Sequence, residues 1–520
     1  MEKKRWLWLL PLGGVLSALC VIASPLGFLQ WIAMIPALFY LFWRIEQREV
    51  RLRRLYRFGF LYFYPYYLVQ WFWFVELYPL DFVGFSPDVA VFAIAFCWFG
   101  LALLQALLAS LMLPVVGGLF RTRFFAGRGF LLPFLYAAAY TVAEWAQTLT
   151  WAGVPWGRLA LGQVDCGVFF NTAALFGSYF ISFSIVAVNG FIAYAFLHTD
   201  RIRLAALCGA SVFVINLIAG SVGYGLAQTG DENAVQVVAV QANVGSRKNS
   251  RENAYDIYER HIIAAAEAGA DIVLLPETFI PTSLSEKTML GKFVSEVADE
   301  QNVTLICGGF HRDSAGNRYN ALFTVFPDGR ISEQIYFKQR LVPFGEFVPM
   351  RPVVETLVPP LAEIGMLSGD LTPGEDSVIM ETDHGKVGSL ICFDSIYEQL
   401  TLDAVRDGAE VICLSTNDSW FLDSVGVYMH HRQAQLRAVE SGRYIVRSAD
   451  TGISSVIGPD GDVIVQLDPL VAGNVSATVY TRTDRTLYSY IGNTFVYLLI
   501  AAELALALLP LIDRLKSKKE

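Results

Sequence analysis

The chain has 520 residues, of which 54% are hydrophobic and only 17% charged, and its mean hydropathy is positive. That balance excludes a purely soluble protein and calls for membrane-spanning segments. The formal charge of −9, without a groove-like run of basic residues, argues against nucleic acid as a partner. The cysteines at 20, 97, 166, 208, 307, 392 and 413 form no CxxC pair or His-linked spacing, so no metal site, disulfide framework or cofactor is expected.

In chain order, a basic head (Lys3, Lys4, Arg5) precedes an apolar stretch from Trp6 to Val21, which looks like a signal peptide. No small-x-small site follows, and a second apolar run, Leu26 to Trp43, comes after a short Ser-Pro turn, so two spans are expected instead of cleavage. Further apolar stretches cover about 58–75, 90–118, 130–150, 169–197, 203–226 and 490–512, giving about eight spans. Basic residues cluster at the N-terminus, in alternate connections (Arg44 to Arg57; Arg121, Arg123 and Arg128; Arg201 and Arg203) and after the last span (Arg514, Lys516, Lys518, Lys519). Short loops rich in Lys and Arg stay in the cytoplasm, so both termini are predicted there and the region 228–487 on the outer face.

That region alternates like a soluble α/β domain. Strands are predicted at Val235–Gln241, Asp271–Leu275, Val303–Phe310, Ala321–Phe326, Val387–Ile391, Val411–Ser415 and Ile453–Ile457. A helix is predicted from Arg251 to Ala268, and Ser283-x-x-Glu286 looks like a capping box opening the next. Three parts follow: 1–227 with seven spans, 228–487 as an inserted α/β domain, and 488–520 with the eighth span and a basic tail.

Within the domain one thiol stands out. Cys392 falls between the strand Val387–Ile391 and a helical stretch, Ser395 to Asp407, where α/β sheets place their chemistry. Unpaired amides at a helix N-terminus favour a thiolate there, although a lone Cys after an apolar run is also an ordinary core residue. Glu277 projects from the strand end Asp271-Ile-Val-Leu-Leu-Pro-Glu, as a general base or as a solvated loop acid. Lys338 ends the run Ile335-Tyr-Phe-Lys and reads alone as a surface lysine.

Taken together, Glu277, Lys338 and Cys392 occur in the order of the Glu-Lys-Cys triad of the nitrilase, or carbon–nitrogen hydrolase, superfamily. The phrases LLPET, YNALF, FKQRLVPFGEFVP, LICFDS, STNDSWF and QLRAVESGRYIVRSADTGIS narrow the likeness, as do Pro25-Leu-Gly-Phe, Ala143-Glu-Trp, Gly153-Val-Pro-Trp and Gly177-Ser-Tyr. With the eight-span frame, the whole chain resembles the apolipoprotein N-acyltransferase family. The resemblance implies an αββα sandwich carried on a multi-pass bacterial inner-membrane domain and facing the periplasm. It implies a phospholipid acyl donor, a diacylglyceryl lipoprotein acceptor, and a thioester on Cys392. Glu277 would be the base, Lys338 the oxyanion partner and Glu346 the group that orients the site. Tyr319, Asn320, Phe393, Asp394, Asn417 and Trp420, from the same phrases, are expected to support the site or bind substrate.

Several positions depart from the family's wording. Phe393-Asp394 stand where Tyr-Glu is usual, Leu422 replaces a Gly, no Trp follows Lys248, and the phrase before Gln433 reads His430-His431-Arg432. Glu144, inside a predicted span, is expected to brace the bundle or meet a headgroup. Trp71, Trp73, Trp145, Trp151 and Trp156 are expected to form an interfacial belt. Two other functions share these residues: a membrane-tethered amidase that passes the acyl group to water, and a silent paralogue that only binds lipoproteins.

Overall fold

The computed structural model describes residues 6–80, 86–245, 254–357 and 369–517. Contacts divide the chain into two compact units, one of Met1–Val75, Phe92–Tyr224 and Ile491–Glu520 and one of Glu76–Val91 and Gly225–Tyr490.

The first unit is helical. Among the described residues, four helical stretches are long and apolar enough to cross a membrane: Ser24–Glu46, Pro87–Phe120, Ser178–Leu197 and Thr199–Ala227. Shorter apolar helices cover Leu9–Ile22, Gly167–Phe176 and Thr494–Pro510. The stretch read as one span over 169–197 is broken by Gly177, whose φ of +75° a helix cannot continue, so the long helix starts at Ser178. Buried amides bond one another instead of lipid: Gln163 Nε2 donates to Gln30 Oε1 at 2.6 Å, and Asn189 Nδ2 donates to the Gln30 carbonyl at 2.9 Å. Glu144 is buried, and its Oε1 accepts the Leu159 amide at 2.9 Å, which is a bracing contact. The interfacial belt needs correction for three of its five tryptophans, while Trp151 is exposed and Trp145 half-buried. Trp71, Trp73 and Trp156 are buried and pack on one another with centroids 5.6–5.9 Å apart, because three indoles gain more from mutual burial than from a wet rim.

The second unit holds two six-stranded sheets. In chain order the strands are β1 (Ala234–Gln241), β2 (Ile272–Leu274), β3 (Thr304–Arg312), β4 (Arg318–Val325), β5 (Ile331–Phe337), β6 (Ile379–Thr382), β7 (Gly385–Ile391), β8 (Val411–Thr416), β9 (Ile445–Ala449), β10 (Ser455–Ile457), β11 (Val463–Gln466) and β12 (Gly473–Tyr480). One sheet runs β12-β1-β2-β3-β4-β5 and the other β11-β10-β9-β8-β7-β6. Alternation along β1 shows how the layers form. Val235, Val237 and Ala239 pack with Val387, Ile391, Val411 and Val446 of the other sheet. Val238 and Val240 face the opposite way, against Tyr258, Ile262 and Val294 of the helices Ala254–Glu267 and Met289–Gln301. The helices Glu398–Arg406 and Val425–Ser441 pack on the second sheet, completing helix, sheet, sheet and helix.

Each predicted strand has a counterpart; β5, β6, β9, β11 and β12 were not predicted, since they are short, carry polar residues or lie at sheet edges. The capping box at Ser283 is corrected: the helix begins at Met289, and Thr288 caps it by accepting the Gly291 amide at 3.1 Å. Of the predicted Arg251–Ala268 helix, residues 251–253 lie outside the described residues, as do Lys248 and Asn249, where the family's Trp is missing.

Candidate active site

Three strand ends converge. Glu277 follows β2 and Cys392 follows β7, each with a parallel neighbour, and Lys338 follows β5, which two antiparallel ladders from β3 turn the same way, so distant stretches of chain come to one edge of the domain. The two sheets are tied beside the site: Ser415 Oγ donates to the Leu275 carbonyl at 2.8 Å, and the Glu277 amide donates to Thr416 O at 3.4 Å. Gly308 on β3 lets the Glu277 loop lie close, since a Cβ there would stand 2.6 Å from the Thr278 nitrogen.

Lys338 is 2% exposed, and its Nζ lies 2.9 Å from Glu277 Oε1 and 3.0 Å from Glu346. Asn320 Nδ2 donates to the same two carboxylates at 2.6 and 3.0 Å. The Asn417 amide donates to Glu277 Oε2 at 2.9 Å, and the Val342 amide to Glu346 Oε2 at 2.8 Å. Burial opposes the lysine's charge, but the two glutamates outweigh it and hold the ammonium well above its ordinary range. The cluster is therefore a fixed cation between two anions, with every carboxylate oxygen engaged.

Cys392 is partly open to a cavity, with φ of +49°, and starts a 3₁₀ turn to Ile396. The expectation of a thiolate favoured by a helix terminus needs correction. Desolvation and the charge of Glu277 push the thiol well above its ordinary range, against the weaker pull of Lys338. The following element is one tight turn, too short for a helix dipole to offset burial next to a carboxylate. A thiol in this setting needs a neighbouring base to react, and Glu277 is the carboxylate whose charge acts on it most strongly.

Asp394 is fully buried and joins the Cys392 turn to the lysine loop. Its Oδ2 accepts from Tyr336 Oη at 2.9 Å and the Ile391 amide at 3.1 Å; its Oδ1 accepts from the Gln339 and Arg340 amides at 3.2 and 2.8 Å. Burial raises its carboxyl to about 6 despite Lys338 and those donors.

Beneath the thiol lies a second ionic group that sequence reasoning missed. Asp418 pairs with Arg447 at 2.7 Å and with His430 Nδ1 at 2.8 Å, and His430 Nε2 lies 3.2 Å from the Cys392 carbonyl oxygen. Burial opposes its charge, but Arg447 and His430 hold the Asp418 carboxyl well below its ordinary range. Asp418 and Arg447 both lie inside phrases noticed in the sequence, but nothing in one dimension pairs residues so far apart.

A cavity of about 610 Å³ opens over the triad, lined by Glu277, Lys338, Cys392, Glu346, Asn320, Asn417 and Trp420 among others. It is large enough for a lipid-sized group. Tyr319 and Phe393 are not among its lining. Tyr319 stacks on Phe337 with centroids 4.4 Å apart, and Phe393 packs against Tyr397. Leu422 has φ of +49°, which accounts for the Gly common at that place in the family.

Residues 13–191 match the apolipoprotein N-acyltransferase N-terminal domain, and residues 236–487 match the carbon-nitrogen hydrolase family. An apolipoprotein N-acyltransferase of Gloeobacter violaceus is 30% identical over 522 residues, covering 96% of this chain and 92% of that protein. The chain belongs to the apolipoprotein N-acyltransferase family. Another such enzyme, from Haemophilus ducreyi, is 26% identical over 434 residues and covers 79% of this chain and 85% of its own. Among solved structures, Saccharomyces cerevisiae Nit3, of the nitrilase superfamily, aligns with 50% of this chain and 94% of its own at 19% identity and a TM-score of 0.39. The family resemblance seen in the sequence phrases is thus borne out along nearly the whole chain.

Proposed function

We propose that this protein transfers a fatty acyl chain from a membrane phospholipid to the free α-amine of the diacylglyceryl-cysteine that begins an apolipoprotein. The observation that carries the reading is the cavity in which Cys392, Glu277 and Lys338 meet, in a chain of this family. Glu277 takes the thiol proton as Sγ attacks the ester carbonyl carbon. The tetrahedral oxyanion forms beside the Lys338 ammonium, and its collapse breaks the C–O bond. The departing alkoxide takes the proton from Glu277 and leaves as lysophospholipid. In the second half Glu277 accepts a proton from the incoming amine, which attacks the thioester; the sulfur leaves and recovers the proton. Glu346 and Asn320 orient the pair, and Asp394, Asn417 and Trp420 shape the site.

The reading includes an inner-membrane location, about eight spans, both termini in the cytoplasm and the catalytic domain of 228–487 in the periplasm. Loop charges support that orientation. The shorter helices Leu9–Ile22 and Thr494–Pro510, with Leu52–Gln70 and Leu132–Ala146, supply the remaining spans. The test is to incubate the purified chain with phospholipid alone and map the product by mass spectrometry. One acyl chain on the Cys392 peptide, released by neutral hydroxylamine and discharged to an amide by a diacylglyceryl peptide, is expected. An acyl group on Cys307 or Cys413, or full activity in Cys392→Ala, defeats the mechanism.

A further inference from the structure

One hydroxyl links the thiol to the ionic group beneath it. Thr416 ends β8 and is fully buried, and its Oγ1 donates to Asp418 Oδ1 at 3.2 Å. β7 and β8 pair in parallel with Ile391 opposite Ser415, so Cys392 and Thr416 follow as neighbours where the two strands end. Alternation along β8 sends Ser415 to the other sheet, where its Oγ bonds the Leu275 carbonyl, and turns Thr416 the opposite way, toward Asp418. The Thr416 side chain also hydrogen-bonds the Cys392 side chain and, like Lys338, draws the thiol toward ionisation.

The main chain on both sides of this contact is held in place. The Cys392 carbonyl accepts from Ser395 Oγ at 2.7 Å and lies 3.2 Å from His430 Nε2. The Thr416 carbonyl accepts the Glu277 amide at 3.4 Å, and the Asn417 amide donates to Glu277 Oε2 at 2.9 Å. A hydroxyl carries one proton and rotates to suit its acceptors, and here the acceptors are the Asp418 carboxylate and the sulfur. Asp418 gives up its share readily. Its bond to Thr416 is longer than those to Arg447 at 2.7 Å and His430 at 2.8 Å, and these two partners hold its charge.

We propose that Thr416 is a further catalytic residue, whose O–H rests on Asp418 while Cys392 is a thiol or thioester and turns to Sγ whenever the sulfur carries negative charge. That happens twice. The first time is after Glu277 takes the thiol proton and as Sγ bonds the ester carbon. The second is when the amine adduct collapses, the C–S bond breaks and the electron pair stays on sulfur. Glu277 then carries the proton and the Lys338 ammonium faces the oxyanion, while Thr416 serves the sulfur. No proton leaves Thr416 in either half; it lends a hydrogen bond to a charged acceptor, the stronger kind, and afterwards turns back to Asp418.

The two steps rest on the acyltransferase reading, and a reaction that needs no lipid separates the two. In the full chain in detergent, alkylation of Cys392 by iodoacetamide is followed against pH, beside acyl-enzyme formation from saturating phosphatidylethanolamine. The charged groups facing the sulfur are Glu277 after β2, Lys338 after β5 and Asp418 after β8, with His430 of the helix Val425–Ser441 at the Cys392 carbonyl. All of them are kept in the Thr416 variants. Thr416→Val retains the shape and removes the O–H. It should slow alkylation roughly three- to tenfold at neutral pH, carry its rise to higher pH, and lower the rate of acyl-enzyme formation by roughly 10–10². Thr416→Ser should restore both to within about threefold, and Thr416→Ala, which also lacks the O–H, should behave as Thr416→Val does. A purely structural role would lower the thermal midpoint and leave the alkylation profile of the folded protein unmoved; that result overturns the proposal. So does a serine variant no better than the valine one. Wild-type protein that alkylates as expected but never takes an acyl chain from phospholipid counts against the acyltransferase reading alone.

Discussion

The α/β domain buries two ionic clusters a few residues apart, and they have opposite fates. Lys338, Glu277 and Glu346 form a cluster with more carboxylates than cations, and all three line the cavity. Asp418, Arg447 and His430 form the other, at 0–1% exposure and absent from that lining. In the proposed reaction the surplus carboxylate of the first takes up the thiol proton. In the second, the acid's charge is spent on its neighbours and on holding the floor under Cys392. Burial of charge alone therefore does not mark a catalytic group; access to the cavity does.

The largest separation should come from Glu277→Gln. Acyl-enzyme formation should fall by roughly 10²–10⁴, the usual worth of a positioned base. The same change removes a negative charge beside Cys392, so its thiol should become more acidic and alkylate faster with iodoacetamide near neutral pH. An alkylation rate equal to that of the wild type would show that Glu277 does not act on the thiol. Lys338→Met should cost about 10²–10³ in the same assay, by removing the oxyanion partner.

In the sealed cluster the loss should be of folding. Arg447→Met leaves the Asp418 charge without its main partner, at a cost of about 3–5 kcal/mol. A drop in thermal midpoint is expected, with activity per folded molecule falling far less than in Glu277→Gln. An unchanged midpoint would erase the distinction between the two clusters.

How these clusters read in the sequence differs for physical reasons. Glu277, Lys338 and Cys392 each end a strand-like run, so alternation and turn placement exposed them, and family phrases joined them. Asp418 follows the end of β8 and Arg447 lies within the neighbouring β9, 29 residues apart, and a buried arginine within a strand looks like a break in the apolar pattern. The same holds for β12, whose outward residues are polar. The buried Trp71, Trp73 and Trp156 show the reverse: composition marked them, and only packing gave their place.

Asp394 gives a smaller and two-signed effect. Its carboxyl, raised to about 6, completes its four bonds only when charged, so turnover should rise as the pH passes through about 6. Stability should run the other way. A folded pKa above the unfolded one means the fold binds the proton more tightly, so this group's contribution is full below the ordinary carboxylate range and is lost as pH rises to about 6. Asp394→Asn should flatten both trends. Four donors from two loops hold Asp394 in place; Asp394→Glu pushes the two loops apart by about one carbon–carbon bond, roughly 1.5 Å, and should lower turnover by up to about 10². The smallest effect is a gain: Leu422→Gly should stabilise the protein by about 1 kcal/mol, because its left-handed backbone suits glycine.

The same left-handed conformation occurs at Cys392 itself, at φ of +49°. An L-residue there costs about 1–2 kcal/mol relative to a position with ordinary backbone angles, and glycine would relieve most of it. Selection for thermal robustness alone would thus drift away from the thiol, and a library enriched by heat survival should lose its nucleophile before its scaffold. On the proposed chemistry, a cysteine at this turn gives up backbone stability for a thiol that opens to the cavity.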